Sequence, residues 1–164
     1  PQTAGRVMNN HFATRSLGET GRWKDLTGQS NSSADVSPTG SQMPRTVGLA
    51  YASKLYRELE ELHAFTQYSK NGDEVAFATI GNASSAEGHF WEAINAIGVL
   101  RVPAIITVYD DGYGISVANE HQIAKENISE LLAGFARPPG ECCDGFDIYV
   151  VKGWDYPALL EAAS

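Results

Sequence analysis

The sequence predicts an α/β fold in which a parallel sheet carries helices on both faces. Short and nearly continuous apolar runs occur at residues 74–80, 103–109 and 146–151, as expected of strands that are buried on both faces. Segments with helical periodicity alternate with these runs, which is the pattern of βαβ units. Ligand sites are therefore expected at the carboxyl ends of the strands.

The helices are predicted from apolar spacing and from residues that begin helices. Pro44 suits a first helical turn, and apolar residues recur at three- and four-residue steps from Val47 to Leu62. Further helices are predicted over residues 86–100, over residues 128–136 and from about Tyr156.

Residues 1–44 differ from the rest of the chain because they are rich in Gly, Ser, Thr and Asn and show little periodicity. We interpret them as a loop-rich segment that lines a binding site. Residues 45–164 contain the alternating helices and strands. The whole chain, residues 1–164, is expected to be a partial domain truncated at both ends, a fragment of a longer polypeptide.

Composition and charge exclude several classes of function. The chain has 164 residues, of which 43% are hydrophobic and 20% charged, as in soluble globular proteins. No apolar run approaches the roughly 20 residues of a spanning helix, so no membrane is expected. A net charge of −8 with scattered Lys and Arg argues against a nucleic-acid partner. The adjacent Cys142 and Cys143 are interpreted as reduced thiols of a cytoplasmic protein.

Two loops follow the first two predicted strands. Small residues from Gly81 to Ser84 precede a helix start, where unpaired N–H groups favour phosphate. If the strands pair side by side, Asn82 and Asp111 offer hard oxygen ligands near one point, which suits Mg²⁺. A structural alternative remains open, in which Asn82 caps the helix and the acidic loop is only a turn. The glycine spacing does not match a dinucleotide fingerprint.

Residues 81–116 resemble the thiamine diphosphate motif of 2-oxo acid dehydrogenases. That motif consists of Gly-Asp-Gly or Gly-Glu-Gly, a spacer of about two dozen residues, and Asn-Asn. Here the spacer runs from Ser84 to Tyr109, and the matching segment ends in Gly112-Tyr-Gly-Ile-Ser. This ending is typical of the family's alpha subunit or alpha half. Residues 5–12 and the Ser37-Pro-Thr-Gly-Ser-Gln segment resemble further parts of the family. The resemblance covers nearly the whole chain and is closest to the branched-chain type.

The resemblance implies a thiamine diphosphate-binding fold and a set of site residues. Asn82 and Asp111 would bind Mg²⁺ by their side chains and Tyr113 by its carbonyl oxygen. The backbone near the diphosphate would be that of Gly81, Ala83 and Ser84, and Ser37 would also contact the cofactor. A monovalent cation such as K⁺ would be bound by the carbonyl oxygens of Val36 and Pro38 and by the side chains of Ser41 and Gln42.

Five positions depart from the family pattern. Asn82 stands where the family has an acid, and Asp111 stands where the family has Asn. The ligand set therefore keeps its charge and its number of oxygens, and Mg²⁺ binding is expected to persist. Tyr109 stands where branched-chain relatives direct an Arg toward the diphosphate. Thr39 replaces a larger apolar residue that wedges the bent cofactor. Asp110 adds a further negative charge beside the site.

The function implied by the resemblance is oxidative decarboxylation of a 2-oxo acid with acyl transfer to a lipoyl group. Its partners would be a beta subunit, in a heterotetramer, or a beta half of the same enzyme, and a lipoyl-bearing acyltransferase. No catalytic acid or base can be assigned within the chain. The alternatives are a non-catalytic structural paralogue that keeps the fold and a transketolase-type ketol transferase, which the Gly112-Tyr-Gly-Ile-Ser ending disfavours. The choice among pyruvate, a branched-chain 2-oxo acid and acetoin as substrate stays open.

Overall fold

A computed structural model describes residues 13–34, 36–140 and 144–164. The motif-like segment at residues 5–12, including His11, and the two cysteines at 142 and 143 lie outside the described residues. In the described part of residues 13–41 the backbone forms loops and turns, with one antiparallel bridge between Leu17 and Trp23.

A βαβ unit with a preceding helix forms the centre of the molecule. Its elements are α1 (Gln42–Glu58), β1 (Ala76–Gly81), α2 (Gly88–Leu100) and β2 (Ala104–Tyr109). The two strands are parallel, and they pair in register from Ala76 with Ala104 to Gly81 with Tyr109. The first two predicted strands, the parallel sheet and the α/β class are thus confirmed.

The core lies on one face of this sheet. Ala78 and Ile80 of β1 are buried there against Met43 of α1 and Phe90 of α2. Burying a side chain such as that of Phe90 contributes about 1.5–3 kcal/mol. Alternate strand residues point to the other face, where Phe77 is 65% exposed.

Helix α1 begins at Gln42, so that Pro44 lies in the first turn, where its missing N–H leaves no helical hydrogen bond unmade. The helix ends before Leu59, whose backbone is extended (φ −106°, ψ 109°). A short 3₁₀ helix, Glu60–Leu62, replaces the continuation to Leu62 that the apolar spacing predicted.

Helix α2 begins two residues later than predicted. A 3₁₀ helix covers Ala83–Ala86, and Glu87 is extended and caps α2 instead of lying in its first turn. The helix ends at Leu100, and the next residue, Arg101, adopts the left-handed conformation (φ 49°) and lets the chain turn into β2.

The predicted third strand at residues 146–151 is wrong. A single parallel bridge joins Phe146 to Ala136, and the described sheets contain no residue between 147 and 152. Apolar composition favours a strand only where a neighbouring backbone edge offers hydrogen bonds. Here Ile148 and Val150 line a cleft beside β2 without pairing with it, and Val150 is 78% exposed.

After β2 the chain forms a small hairpin, β3 (Tyr113–Gly114) and β4 (Val117–Ala118), and two helices, α3 (Ile128–Leu132) and α4 (Tyr156–Ala163). The Asn127 side chain caps α3 by accepting from the Ser129 N–H (3.0 Å). The remainder of the predicted 128–136 helix is a 3₁₀ helix, Ala133–Phe135. The predicted last helix is confirmed as α4. None of the described helices has the length and apolarity needed to cross a membrane.

Candidate functional site: a cleft at the carboxyl ends of β1 and β2

The loops that follow β1 and β2 lie side by side at one edge of the sheet. The Asn82 N–H donates to the Tyr109 carbonyl oxygen (3.0 Å), one bond beyond the last paired residues of the two strands. Both loops line a cleft of about 1170 Å³ that also runs along β2 toward α4. Six of the predicted site residues line this cleft: Gly81, Asn82, Ala83, Ser84, Asp111 and Tyr113.

The first loop is compact and largely buried. Asn82 is 2% exposed, and its carbonyl oxygen accepts from the N–H (3.1 Å) and the hydroxyl of Ser85. The Asn82 side chain makes no capping bond to the turn that follows, unlike the structural alternative for this residue. Because the loop residues are small, the second loop approaches closely: a methyl group on Gly114 would lie 2.5 Å from Ala83 Cβ.

The second loop is an exposed acidic turn. Asp110 Oδ1 accepts from the Gly112 N–H (3.2 Å), and Asp111 Oδ1 accepts from the Tyr113 N–H (3.1 Å). Gly112 has a positive φ of 81°, which glycine adopts without strain. The turn described in the structural alternative is therefore present, and it leaves the second Asp111 oxygen without a hydrogen bond among the described residues.

A buried residue that the sequence did not single out connects the two loops. Asn119 is 8% exposed, and its Oδ1 accepts from Asn82 Nδ2. Asn119 Nδ2 in turn donates to Asp110 Oδ1 (3.3 Å) and to the Glu126 carbonyl oxygen (3.4 Å). No periodicity or motif identifies Asn119, because its importance arises from a contact between residues 37 positions apart.

The side chains that meet here fit a hard divalent cation. The Asn82 amide oxygen, the Asp111 carboxylate and the Tyr113 carbonyl are oxygen donors of the kind Mg²⁺ prefers. Within the described residues, no three His, Cys, Asp or Glu side chains lie close enough together to hold a metal ion by themselves. A cation in this cleft would therefore depend on amide and carbonyl oxygens beside one carboxylate, together with oxygens of a ligand.

Most of the predicted site residues between positions 36 and 42 do not line the cleft. Val36, Ser37, Pro38, Ser41 and Gln42 are absent from its lining, whereas Thr39 contributes to it. The Gln42 side chain instead donates from Nε2 to the Thr79 carbonyl oxygen (2.9 Å), and the Pro38 carbonyl accepts from the Ser41 N–H (3.1 Å).

Thr39 is connected to the start of α2. His89 Nε2 donates to the Thr39 carbonyl oxygen (2.8 Å), and this contact brings the segment before α1 against the start of α2. Gly40, with φ 73°, makes room for the histidine, since a methyl group there would lie 2.7 Å from His89 Nε2. The sequence offered no partner for His89.

Ile115, at the tip of the β3–β4 hairpin, also lines the cleft and was not singled out from sequence. It is fully exposed and has φ 59°. A β-branched residue with positive φ is rare and strained by about 1–3 kcal/mol. Exposed Tyr109 and Glu87 complete the acidic and aromatic rim of the cleft.

Comparison with known proteins connects this geometry to a family. Residues 7–153 match the family described as dehydrogenase E1 component. The chain is 31% identical over 162 residues, 99% of its length, to the 2-oxoisovalerate dehydrogenase subunit alpha of Bacillus subtilis. It is 30% identical over 69% of its length to the mitochondrial pyruvate dehydrogenase E1 component subunit alpha of Solanum tuberosum. It is also 30% identical over 70% of its length to the corresponding subunit of Zymomonas mobilis.

The chain spans 39%, 25% and 28% of the lengths of these three relatives. The match to the family covers most of the chain and includes both loops of the cleft. The predicted resemblance to the alpha subunit of a thiamine-diphosphate-dependent 2-oxo acid dehydrogenase, of the branched-chain type, is confirmed. The chain belongs to the dehydrogenase E1 component family.

Proposed function

We propose that this chain is the part of a 2-oxo acid dehydrogenase decarboxylating component that holds thiamine diphosphate through Mg²⁺. The observation that carries the proposal is the meeting of Asn82 and Asp111 in one cleft at the carboxyl ends of two parallel strands. Open α/β sheets bind ligands at this edge. The family membership of the chain supports the same conclusion.

The six predicted residues that line the cleft each have a role in this proposal. Asn82 and Asp111 bind the metal by side-chain oxygens, and Tyr113 binds it by its carbonyl oxygen. The small residues of the first loop bring backbone N–H groups to the diphosphate, because no large side chain blocks the approach. This part of the backbone is that of Gly81, Ala83 and Ser84.

The metal has to supply the positive charge that the described lining of the cleft lacks. Asp110, Asp111 and Glu87 line the cleft, and its described lining contains no Lys or Arg. Tyr109 occupies the position where the family pattern has an Arg. A diphosphate would be repelled by such a rim, and a divalent cation held by Asn82 and Asp111 would change the sign of the local field. Cofactor binding is therefore expected to require the metal.

The chemistry of the reaction belongs to the cofactor. When bound, thiamine diphosphate supplies the electron sink that permits a 2-oxo acid to lose CO₂. The residues of this chain bind and orient it. We propose that the acyl product passes to a lipoyl-bearing acyltransferase and that a beta subunit completes the active site in a cytoplasmic heterotetramer. The substrate is a 2-oxo acid, of branched-chain type or pyruvate.

We also propose that the segment before α1 binds a monovalent cation. Its donors would be the carbonyl oxygens of Val36 and Pro38 and the side chains of Ser41 and Gln42, with Ser37 at the cofactor. The Gln42 amide already donates from Nε2 to the Thr79 carbonyl, so its Oε1 is the atom left to bind the cation. Binding of thiamine diphosphate in KCl should then be tighter than in tetramethylammonium chloride of equal ionic strength, and equal affinities would contradict this site.

The test of the main proposal is calorimetric titration of thiamine diphosphate into the full-length protein with its partner subunit. Binding is expected with Mg²⁺ and is expected to be lost when the metal is removed with a chelator. Tight binding without metal would contradict the assigned ligands. A full-length complex that binds no cofactor under either condition would favour the non-catalytic paralogue.

A further inference from the structure

The side-chain amide of Asn82 is held by a partner outside both loops. Its Nδ2 donates to Asn119 Oδ1, and both residues are buried. Among the hydrogen bonds of the described residues, none reaches Asn82 Oδ1, and this oxygen is not an orphaned buried atom. The amide is therefore fixed on its nitrogen side and free on its oxygen side.

The chemistry of the neighbours determines which way each amide points. Asp110 Oδ1 and the Glu126 carbonyl oxygen lie 3.3 and 3.4 Å from Asn119 Nδ2. Carboxylates and carbonyls only accept, so they must face the NH₂ group of Asn119. The Asn119 oxygen then faces Asn82, which must present its own NH₂ group in return. These two acceptors thus set the orientation of two successive amides, and Asp110 supplies the one that is a charged side chain.

We infer that Asp110, acting through Asn119, orients the Asn82 amide so that its oxygen faces the Mg²⁺ position in the cleft. The inference rests on the proposed function and makes Asp110 and Asn119 positioning residues. An amide ligand needs such a device, because the wrong flip would place an NH₂ group against the cation. A carboxylate ligand has two equivalent oxygens and needs none.

This inference also gives a reason for the acid at position 110, where the family motif has Asn. A carboxylate at position 82 accepts only, so it would need the NH₂ group of Asn119 turned toward it. The Asn119 oxygen would then face position 110, which would need a donor, and also the Glu126 carbonyl, which cannot donate. Asp at 82 therefore requires a donor such as Asn at 110, whereas Asn at 82 requires an acceptor there, which the carboxylate of Asp110 supplies most strongly in this chain.

A double-mutant cycle on Asn82→Asp and Asp110→Asn tests the coupling. The readout is calorimetric affinity for thiamine diphosphate with Mg²⁺ in the full-length protein with its partner subunit. The double variant keeps the net charge of the wild type. Asn82→Asp alone should weaken binding by roughly tenfold, since either orientation of Asn119 sets two acceptors against each other.

Asp110→Asn alone should weaken binding by roughly two- to threefold, because a neutral amide oxygen accepts from Asn119 less strongly than a carboxylate. Adding it to Asn82→Asp should nevertheless restore part of the lost affinity, since the new amide can donate to the reversed Asn119. The restoration is only partial because the Glu126 carbonyl opposes that orientation. The control Asn95→Asp makes the same amide-to-acid change at an exposed position of α2 and should leave affinity unchanged. Circular dichroism and urea unfolding of each cofactor-free variant identify any that fail to fold.

A second cycle in the Asn119→Leu background tests the route of the coupling, which should vanish there. Independent effects of the two substitutions in the wild-type background overturn the relay, and so does coupling that persists with Asn119→Leu. In both cases wild-type binding leaves the proposed function standing. Absence of cofactor binding by the wild type contradicts the proposed function itself, and the inference with it.

Discussion

The two ends of the central strands carry similar polar residues that are used in different ways. At the amino ends, Glu74 accepts from the Ser69 hydroxyl and from the Lys70 N–H, both at 2.6 Å, so both of its carboxylate oxygens are engaged. At the carboxyl ends, Asp111 accepts one bond from the Tyr113 N–H (3.1 Å), and its second oxygen has no donor among the described residues. Both side chains are carboxylates, so their chemistry alone does not reveal which one is available to a ligand.

The difference extends to the surrounding backbone. Around Glu74, Ser53 Oγ donates to the carbonyls of Gly72 (3.1 Å) and Glu74 (2.6 Å), which closes the turn onto α1. Around Asp111, the hairpin tip contains a strained and exposed Ile115. Satisfied polar groups stabilise a fold, whereas unused acceptors and stored strain mark a place where a ligand completes the structure.

The largest expected effect is on cofactor affinity, which should depend on Asp111 but not on Glu74. Asp111→Asn removes the single carboxylate of the proposed ligand set. Affinity for thiamine diphosphate with Mg²⁺ should fall by roughly 100-fold. Loss of a group that only supports a metal ligand already weakens metal binding by up to about this factor, and Asp111 is proposed as a ligand itself. The unfolding free energy in urea should stay within about 0.5 kcal/mol of the wild type, since the side chain is exposed.

The control for this experiment is Asp73→Asn, which removes the same charge from an exposed position near Glu74. It should leave affinity unchanged, because it lies at the opposite end of the strands. An equal loss of affinity in both variants would show that net charge, and not a ligand at Asp111, governs binding.

The next effect concerns the close approach of the two loops. Gly114→Ala should destabilise the protein by about 1–3 kcal/mol, because the new methyl group meets Ala83 Cβ at 2.5 Å. The double variant with Ala83→Gly should recover part of this loss, since it removes the opposing methyl group. Gly48→Ala, in an open position on α1, should be neutral or slightly stabilising. Urea unfolding measures all three, and a double variant no more stable than Gly114→Ala would contradict the contact.

A smaller effect, on the stability of the fold and its dependence on pH, is expected from Glu74 at the amino ends of the strands. Burial alone would raise the pKa of Glu74, but hydrogen bonds from Ser69 and the Lys70 N–H outweigh it and hold that pKa below its ordinary value of 4.5. A lowered folded-state pKa means that the carboxylate stabilises the fold above the unfolded-state value. This stability is lost as the pH falls through the folded-state value.

Glu74→Gln should therefore lower the unfolding free energy near pH 7 by about 1 kcal/mol, discounted for solvent exposure. The gap between variant and wild type should shrink as the pH drops below 4.5. Urea unfolding across this range measures it, with cofactor affinity at pH 7 unchanged. A gap that does not vary with pH would contradict the role of the charged form.

Sequence reasoning was sufficient where one pattern had one physical outcome. β1 and β2 were predicted to within two residues, because continuous apolar runs flanking a helix have few alternatives. The run at residues 146–151 is similarly apolar but pairs with no neighbouring strand. Whether a strand finds a neighbour depends on the tertiary structure, which the local sequence pattern does not contain. Asn82 and Asp111 could be proposed from their positions after strands. Asn119 could not, because its role depends on a contact 37 positions away.

The smallest effect tests whether the strain at the hairpin tip belongs to the site. Ile115→Gly should raise the unfolding free energy by about 0.5 kcal/mol, since relief of the left-handed conformation slightly exceeds the entropy that glycine loses on folding. Val117→Gly in the same hairpin, where φ is not positive, should lower it by a similar amount. If Ile115 contacts the cofactor, its removal should also weaken binding severalfold. Stability and affinity would then move in opposite directions, and parallel losses of both would show that Ile115 only supports the hairpin.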